Sequence, residues 1–66
     1  MKMKIFVTDE NYVELFRIEG KNIPIPRIGE KIQIRQYHDV AEVRQVIYDY
    51  PDSIMNGEYV EVAIVV

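Results

Sequence analysis

The clearest alternation of apolar and polar residues in the chain is Lys31-Ile32-Gln33-Ile34-Arg35-Gln36. Side chains two positions apart in a β-strand lie on the same face of a sheet, so the two isoleucines are predicted to face the core. Pro24 and Pro26 come shortly before this strand, and because proline lacks the N–H that a sheet ladder needs, they predict a loop or a sheet edge there. Gly29 is predicted to permit a tight turn into the strand. This stretch therefore predicts a β domain.

The same two-residue period continues on both sides of that strand. Residues 2–8, 12–19 and 58–66 are predicted as further strands, and the polar break at residues 9–11 makes the first two of them a hairpin. The turn dipeptide Asn56-Gly57 is predicted to lead into the last strand. The side chains predicted to face the core from these three strands are Met3, Ile5, Val7, Val13, Leu15, Val60, Val62 and Ile64.

Residues 40–50 fit two predictions. As a helix they have Asp39 as the N-cap, and their shared face consists of Val40, Val43, Ile47 and Tyr50. As a strand they need a bulge near Arg44-Gln45 to bring all five apolar side chains inward, namely Ala41, Val43, Val46, Tyr48 and Tyr50. More than half of the segment is Val, Ile or Tyr, which form strands well and helices poorly, so the composition favours the strand.

Sixty-six residues predict a single domain that spans 1–66. Five strands without room for a crossover helix predict an all-β fold, a five-stranded antiparallel meander curled into a small barrel. The alternative fold is α+β, with a helix at about 40–50.

Three segments carry a resemblance to a known fold. They are Pro26-Arg27-Ile28-Gly29-Glu30-Lys31-Ile32, then Val43-x-x-Val46-x-Tyr48, then Val60-x-Val62-x-Ile64. Their order resembles SH3-like small β-barrels and is similar to short uncharacterised bacterial and phage proteins that carry a Pro-Arg-Ile-Gly-Glu type of segment. The resemblance covers residues 24–66 and implies a bulged strand followed by a short closing strand. Such barrels serve many functions, so no activity is implied, and the aromatic loops and acidic cluster of peptide-binding SH3 domains are missing from the sequence.

Composition restricts the classes of function. The chain has no cysteine and one histidine, which excludes disulfides and thiolate-bound zinc and predicts no metal site. Its net charge of −3 suits a phosphate backbone poorly. Neither a signal-peptide core nor an apolar run of about 20 residues occurs in the sequence, so a cytoplasmic protein without a membrane partner is expected.

The side chains that catalysis requires are scarce. The hydroxyl nucleophile candidates are Thr8 and Ser53, both beside turn residues, and His38 is the one imidazole base in the sequence. His38 and Asp39 are adjacent, and neighbours in a strand point to opposite faces. Asp49 and Asp52 flank a turn without the spacing of a calcium loop. The sequence predicts no enzyme, no catalytic residue and no cofactor.

A small nucleic-acid-binding barrel is the alternative function. The residues that predict it are the basic side chains Arg27, Lys31 and Arg35, with Tyr37 and Tyr48 as stacking platforms. Acidic residues are interleaved with them at positions 30, 39, 42 and 49. Mixed charge of this kind is typical of a solvated strand face with cross-strand pairs.

The apolar content exceeds what one small sheet is expected to hide. At 48% apolar residues, and without disulfide or metal to stabilise it, the chain is expected to gain stability from a protein partner. The predicted contact surface is the second face of the strands near 12–18 and 58–66, and it consists of Tyr12, Phe16, Ile18, Tyr59 and Val65. The sequence therefore predicts a non-enzymatic protein-interaction module that self-associates as a homo-oligomer.

Overall fold

The computed structural model describes residues 2–51 and 59–66 of the chain. Within those residues the chain forms six β-strands and one 3-10 turn, so the predicted β class is confirmed. The elements in chain order are β1 (Lys2–Thr8), β2 (Glu14–Lys21), β3 (Lys31–Ile34), the 3-10 turn Arg35–Tyr37, β4 (Asp39–Glu42), β5 (Gln45–Asp49) and β6 (Val60–Val65). No helix in the described ranges has the length and apolar character needed to cross a membrane.

The strands form two sheets in these residues. The larger sheet has the order β2-β1-β6-β5, and β3 pairs with β4 in a separate hairpin. β1 and β6 run parallel at the centre of the larger sheet, while the other pairs are antiparallel. The predicted antiparallel meander is therefore wrong at its centre. Parallel neighbours need a long crossover connection, and here β2 to β5 together provide it.

The core lies on one face of the larger sheet. Met3, Ile5 and Val7 of β1 are buried there, and the register places them opposite the buried side chains of β6, which are Val60, Val62 and Ile64. The predicted facing of the first and last strands is thus confirmed. Each of these strands has a neighbour on both edges, which explains why the two-residue period was a reliable signal for them.

β2 faces the opposite way from the prediction. Its register sets Ile18 beside Ile5, and Phe16 beside Val7, so these two side chains lie on the core side of the sheet. Val13 precedes the strand and is 57% exposed. The register shifts between Val7 and Thr8, and a shift of one residue exchanges the two faces of a strand. Leu15, at that irregularity, is half-buried against the core.

Asp9 organises the turn that joins β1 to β2. Its carboxylate Oδ1 accepts hydrogen bonds from the amides of Asn11 at 2.9 Å and Val13 at 3.0 Å. Its carbonyl accepts from the amide of Tyr12, which has a positive φ of 62°. An aspartate that bonds the backbone two residues on is a common turn device. The predicted hairpin is confirmed.

The turn into β3 is also confirmed. The amide of Glu30 donates to the carbonyl of Arg27 at 3.0 Å, and Gly29 between them has φ 93°. Val43 holds this turn from the other side, because Gly29 donates to its carbonyl and its own amide donates to Glu30, both at 2.8 Å. The side chain of Val43 is fully buried. β3 itself ends at Ile34, two residues before the predicted end, where the 3-10 turn begins.

Residues 40–50 form strand, so the helix alternative is wrong. β4 and β5 are separated by Val43 and Arg44, close to the predicted bulge, and the amide of Arg44 donates to Val65 at 2.7 Å. The break transfers the chain from the small sheet to the large one. Tyr48 and Tyr50 stay 48% and 61% exposed, so neither side chain is buried in the core. Tyr48 does lie on the core side, opposite Val62, but on the outermost strand.

The predicted five-stranded closed barrel is not what forms. In the described ranges no ladder joins β2 to β3, and the two sheets leave an opening between these strands. The alternation of side chains predicted which residues are buried. Closure of a barrel depends instead on which edge strands pair with each other, and alternation does not show that. The predictions for Asp52, Ser53, the Asn56-Gly57 turn and the beginning of the last strand lie outside the described residues.

Candidate protein-interaction surface

The longest strand in the described part of the chain is also an edge strand. β2 has eight residues and runs along β1, and no other strand among residues 2–51 and 59–66 pairs with it. We call the side that faces away from β1 the β2 edge, defined by the backbone of residues 16–21. A strand edge without a second neighbouring strand presents amide and carbonyl groups that another strand can pair with.

A mostly apolar groove of about 530 Å³ lies beside the β2 edge. It separates β2 from β3, and the proline-rich segment before β3 forms part of its wall. The lining residues are Ile5, Val7, Phe16, Arg17, Ile18, Ile23, Pro24, Pro26, Ile32, Gln33, Ile34, Arg35, Gln36 and Ile64. A groove of this size and composition is typical of binding sites in proteins.

The side chains of β2 alternate between this groove and the opposite face of the sheet. Phe16 is half-buried on the groove side, and Ile18 on the same side is 44% exposed. Arg17 and Glu19 are exposed on the other face, where the register places them beside Phe6 and Lys4, and Arg17 also borders the groove. The β2 edge therefore carries an apolar side and a charged side.

Arg17 has two contacts within its own chain. Its guanidinium donates to Glu14 through Nη2–Oε1 at 2.9 Å and Nε–Oε2 at 3.2 Å, and its Cζ lies 5.1 Å from the centre of the Phe6 ring. The hydrogen bond and charge of Glu14 raise the pKa of Arg17 above its ordinary value. Both side chains are well exposed, at 53% for Arg17 and 39% for Glu14. Water screens such a pair, so it adds little to stability.

The face opposite the groove combines charged and apolar side chains. Lys4 lies between Glu19 and Glu61 in the register, and its Nζ is 4.9 Å from the ring centre of Tyr59. Lys2 approaches the same ring at 6.0 Å. Mixed charge of this kind is typical of a solvated strand face.

An apolar row lies beside these charges on the same face. Phe6, Ala63 and Ile47 follow one another across three strands of the larger sheet. Ile47 is 37% exposed, and the Arg17 guanidinium lies over the Phe6 ring.

The five residues of the predicted contact surface do not form one patch. Phe16 and Ile18 lie on the groove side, while Tyr59 lies on the charged face with the lysines. Val65 is 4% exposed, so it is part of the interior and contributes no open surface. Tyr12 is exposed in the β1–β2 turn, where its hydroxyl donates to Oε1 of Gln45 at 3.2 Å. Phe16 and Ile18 are therefore the pair that the structure brings together.

The residues of the nucleic-acid alternative are also divided. Lys31 lies on β3 opposite Glu42, and Arg35 follows β3 at the groove. Arg27 donates its backbone amide to the carboxylate of Glu30 in the preceding turn. Tyr48 belongs to the other sheet, where its ring stacks on Tyr50 with 6.2 Å between centres. The side chain of Tyr37 lies outside the described part of the structure.

The polar residues considered for catalysis form no side-chain hydrogen bonds with one another in the described part of the chain. His38 is exposed with φ 53°, and Asp39 accepts a hydrogen bond from the amide of Val40 at 2.8 Å. Thr8 is buried, and its Oγ1 has no partner among the described residues. No group of three possible metal ligands occurs within residues 2–51 and 59–66.

Sequence reasoning missed the groove because it depends on tertiary placement. Its walls come from β2, from β3 and from Ile23 and the two prolines. These segments are separate in the sequence, so no short repeating pattern of residues shows that they lie together. The available signal was the pair Phe16 and Ile18, which the alternation assigned to the wrong side. Comparison of the chain with protein-family models, curated proteins and solved structures finds no match in any of the three.

Proposed function

We propose that this chain is a non-enzymatic protein-interaction module that binds an extended segment along the β2 edge and the groove beside it. The observation that carries the proposal is the combination of an eight-residue edge strand with an apolar groove along it. Strand addition to a sheet edge uses backbone hydrogen bonds for affinity and alternate side chains for specificity.

Burial of Ile18 is a main source of favourable energy in this proposal. The side chain is large, apolar and nearly half exposed, although its cross-strand neighbour Ile5 is buried. An added strand covers that exposed area and also pairs backbone groups that now face water. Removing apolar surface from water contributes about 25 cal/mol per Å².

The charge distribution gives less support to nucleic-acid binding. Lys31 faces Glu42 across the small sheet, and the stacked tyrosines belong to the other sheet. A phosphate backbone is bound by several cations that act together, and the described basic side chains do not form such a row with the tyrosines.

Selection from a displayed library of random linear peptides tests the proposal. We expect the selected peptides to have apolar residues at alternate positions and to perturb the amide resonances of β2 and β3. Ile18→Lys should abolish binding, because it places a charge at the apolar side of the β2 edge. Ile47→Lys, the same substitution on β5, is the matched control and should leave binding unchanged. Peptides that bind equally to both variants, or no enrichment at all, would count against the proposal.

A further inference from the structure

We propose that the natural occupant of the β2 edge is the β2 edge of a second copy, paired antiparallel about a twofold axis that passes through Ile18. This inference rests on the proposed function and specifies its partner. Antiparallel pairing through a twofold axis perpendicular to the sheet keeps the groove side of both copies on the same side. Residues at equal distance on either side of Ile18 are then neighbours across the interface.

The charges of β2 are complementary about this axis. Arg17 of one copy lies opposite Glu19 of the second copy, and the twofold symmetry produces the same pair again. Opposite charges directly across an antiparallel pair are stabilising, and like charges are destabilising. The sequence Arg-Ile-Glu therefore pairs opposite charges when a second copy runs antiparallel to it.

Neighbouring registers lack this property. An axis through position 17 sets Arg17 against its own copy, and an axis through position 19 does the same for Glu19. Either shift also moves the groove-side isoleucine off the centre of the interface. The sequence of β2 therefore specifies one register among those nearest the middle of the strand.

The groove-side residues are compatible with the same register. Ile18 meets Ile18 of the second copy on the axis, which covers the exposed part of both side chains. Phe16 lies opposite Gly20 of the second copy, which has no side chain of its own. Ile23 already packs against Gly20, because a Cβ added there would be 3.1 Å from its Cδ1, so the aromatic ring meets an apolar side chain at this position.

The ion pair that Arg17 gives up when the dimer forms contributes little to the stability of the monomer. The present partner of Arg17 is Glu14, and both side chains are solvent-exposed, so exchanging one carboxylate for another has a small free-energy cost. The other edge strands of the described structure are shorter, with four residues in β3 and five in β5. A longer edge offers more backbone pairs to a second copy.

Charge exchange at positions 17 and 19 tests the inference by sedimentation velocity from micromolar to millimolar concentration. The unchanged chain should dimerise. Arg17→Glu and Glu19→Arg, made singly, should each raise the dissociation constant about tenfold or more, because each produces two like-charge pairs. The double variant R17E/E19R should restore dimerisation, since the opposite charges are again across from each other.

Arg44→Glu is the matched control for the single charge change, because Arg44 lies between β4 and β5 and away from the β2 edge. It should dimerise like the unchanged chain. Ile18→Lys, which places like charges on the axis, should be monomeric, and circular dichroism will show that each variant is folded. Isotope-filtered nuclear Overhauser effects between Arg17 and Glu19 of different copies are expected in the unchanged chain.

The outcomes separate this inference from the proposed function. A chain that stays monomeric at millimolar concentration, or a double variant that does not recover, overturns the twofold pairing. Peptides selected at the β2 edge would then still support the interaction module with another partner. If the chain dimerises and Ile18→Lys dimerises equally, both the register and the role of the β2 edge are wrong.

Discussion

β1 and β2 are neighbours along seven register positions, yet they have opposite relations to solvent. Ile5 of β1 is buried, and Ile18, its partner in β2, is 44% exposed. The difference arises because β1 has β6 on its second edge, whereas no described strand covers the second edge of β2. A strand with a single neighbouring strand leaves its apolar side chains open to water along the free edge. A second neighbouring strand covers them and makes them part of the core.

The strongest test of this comparison is to truncate both members of the same cross-strand pair. Ile5→Ala should lower the free energy of unfolding by about 2–5 kcal/mol, because it leaves a cavity between β1 and β6. Ile18→Ala should cost clearly less in the monomer, since water already reaches the side chain. Urea denaturation at low protein concentration measures both values. Equal losses would contradict the distinction between centre and edge.

The turn before β3 tests how much of the opposite wall of the groove depends on backbone conformation. Gly29→Ala should cost about 1–2 kcal/mol, because its φ of 93° is unfavourable for a residue with a Cβ. Apart from the chain neighbours of Gly29, no atom of the described residues lies within 4 Å of the added Cβ, so crowding is not the cause. Ile28→Ala, an exposed position in the same turn, is the control and should change the denaturation midpoint little.

The turn between β1 and β2 tests whether local hydrogen bonds hold the edge strand in register. Asp9→Ala removes the acceptor for two backbone amides and should cost about 1 kcal/mol. Asp9→Asn keeps an acceptor oxygen and should cost less. Hydrogen exchange of the β2 amides should accelerate in the alanine variant. Unchanged exchange would show that pairing with β1 fixes β2 without help from the turn.

The smallest effect is expected at the exposed ion pair of β2. Glu14→Gln should leave the denaturation midpoint of the monomer unchanged within error, because both side chains of the pair are well exposed to water. The raised pKa of Arg17 adds stability below its unfolded value, and that stability is lost only as strongly alkaline pH passes the folded value. The pair should thus give no pH dependence near neutrality. A midpoint that falls with Glu14→Gln would show that the contact orders β2.

The sequence predicted those elements whose burial is determined locally. In β1 and β6 the buried side chains recur at every second position, from Met3 to Val7 and from Val60 to Ile64, and Gly29 and Asp9 have the chemistry that their turns require. β2 has large apolar residues at both odd and even positions, so the period alone could not identify its core side. The register shift beside Thr8 decides it, and that shift depends on pairing with β1.

The candidate site was predictable in part. Phe16 and Ile18 were identified from their apolar character, but Tyr59 and Val65 were grouped with them because alternation does not show which strands are neighbours. The groove needs the separation of β2 from β3, which follows from strand order in two sheets. The break at Val43 and Arg44 was predictable, but the transfer between sheets was not.

The parallel pairing of β1 with β6 has a consequence for synthesis on the ribosome. Met3 pairs with Val60, so the two central strands come from opposite ends of the described chain. During translation β1 can pair with β2 early, but its core face stays without β6 until residues 60–65 have emerged. Because contacts so distant in sequence slow folding, we expect folding in the millisecond-to-second range that is typical of such topologies. A nascent chain stalled before β6 should expose Met3, Ile5 and Val7 to chaperones.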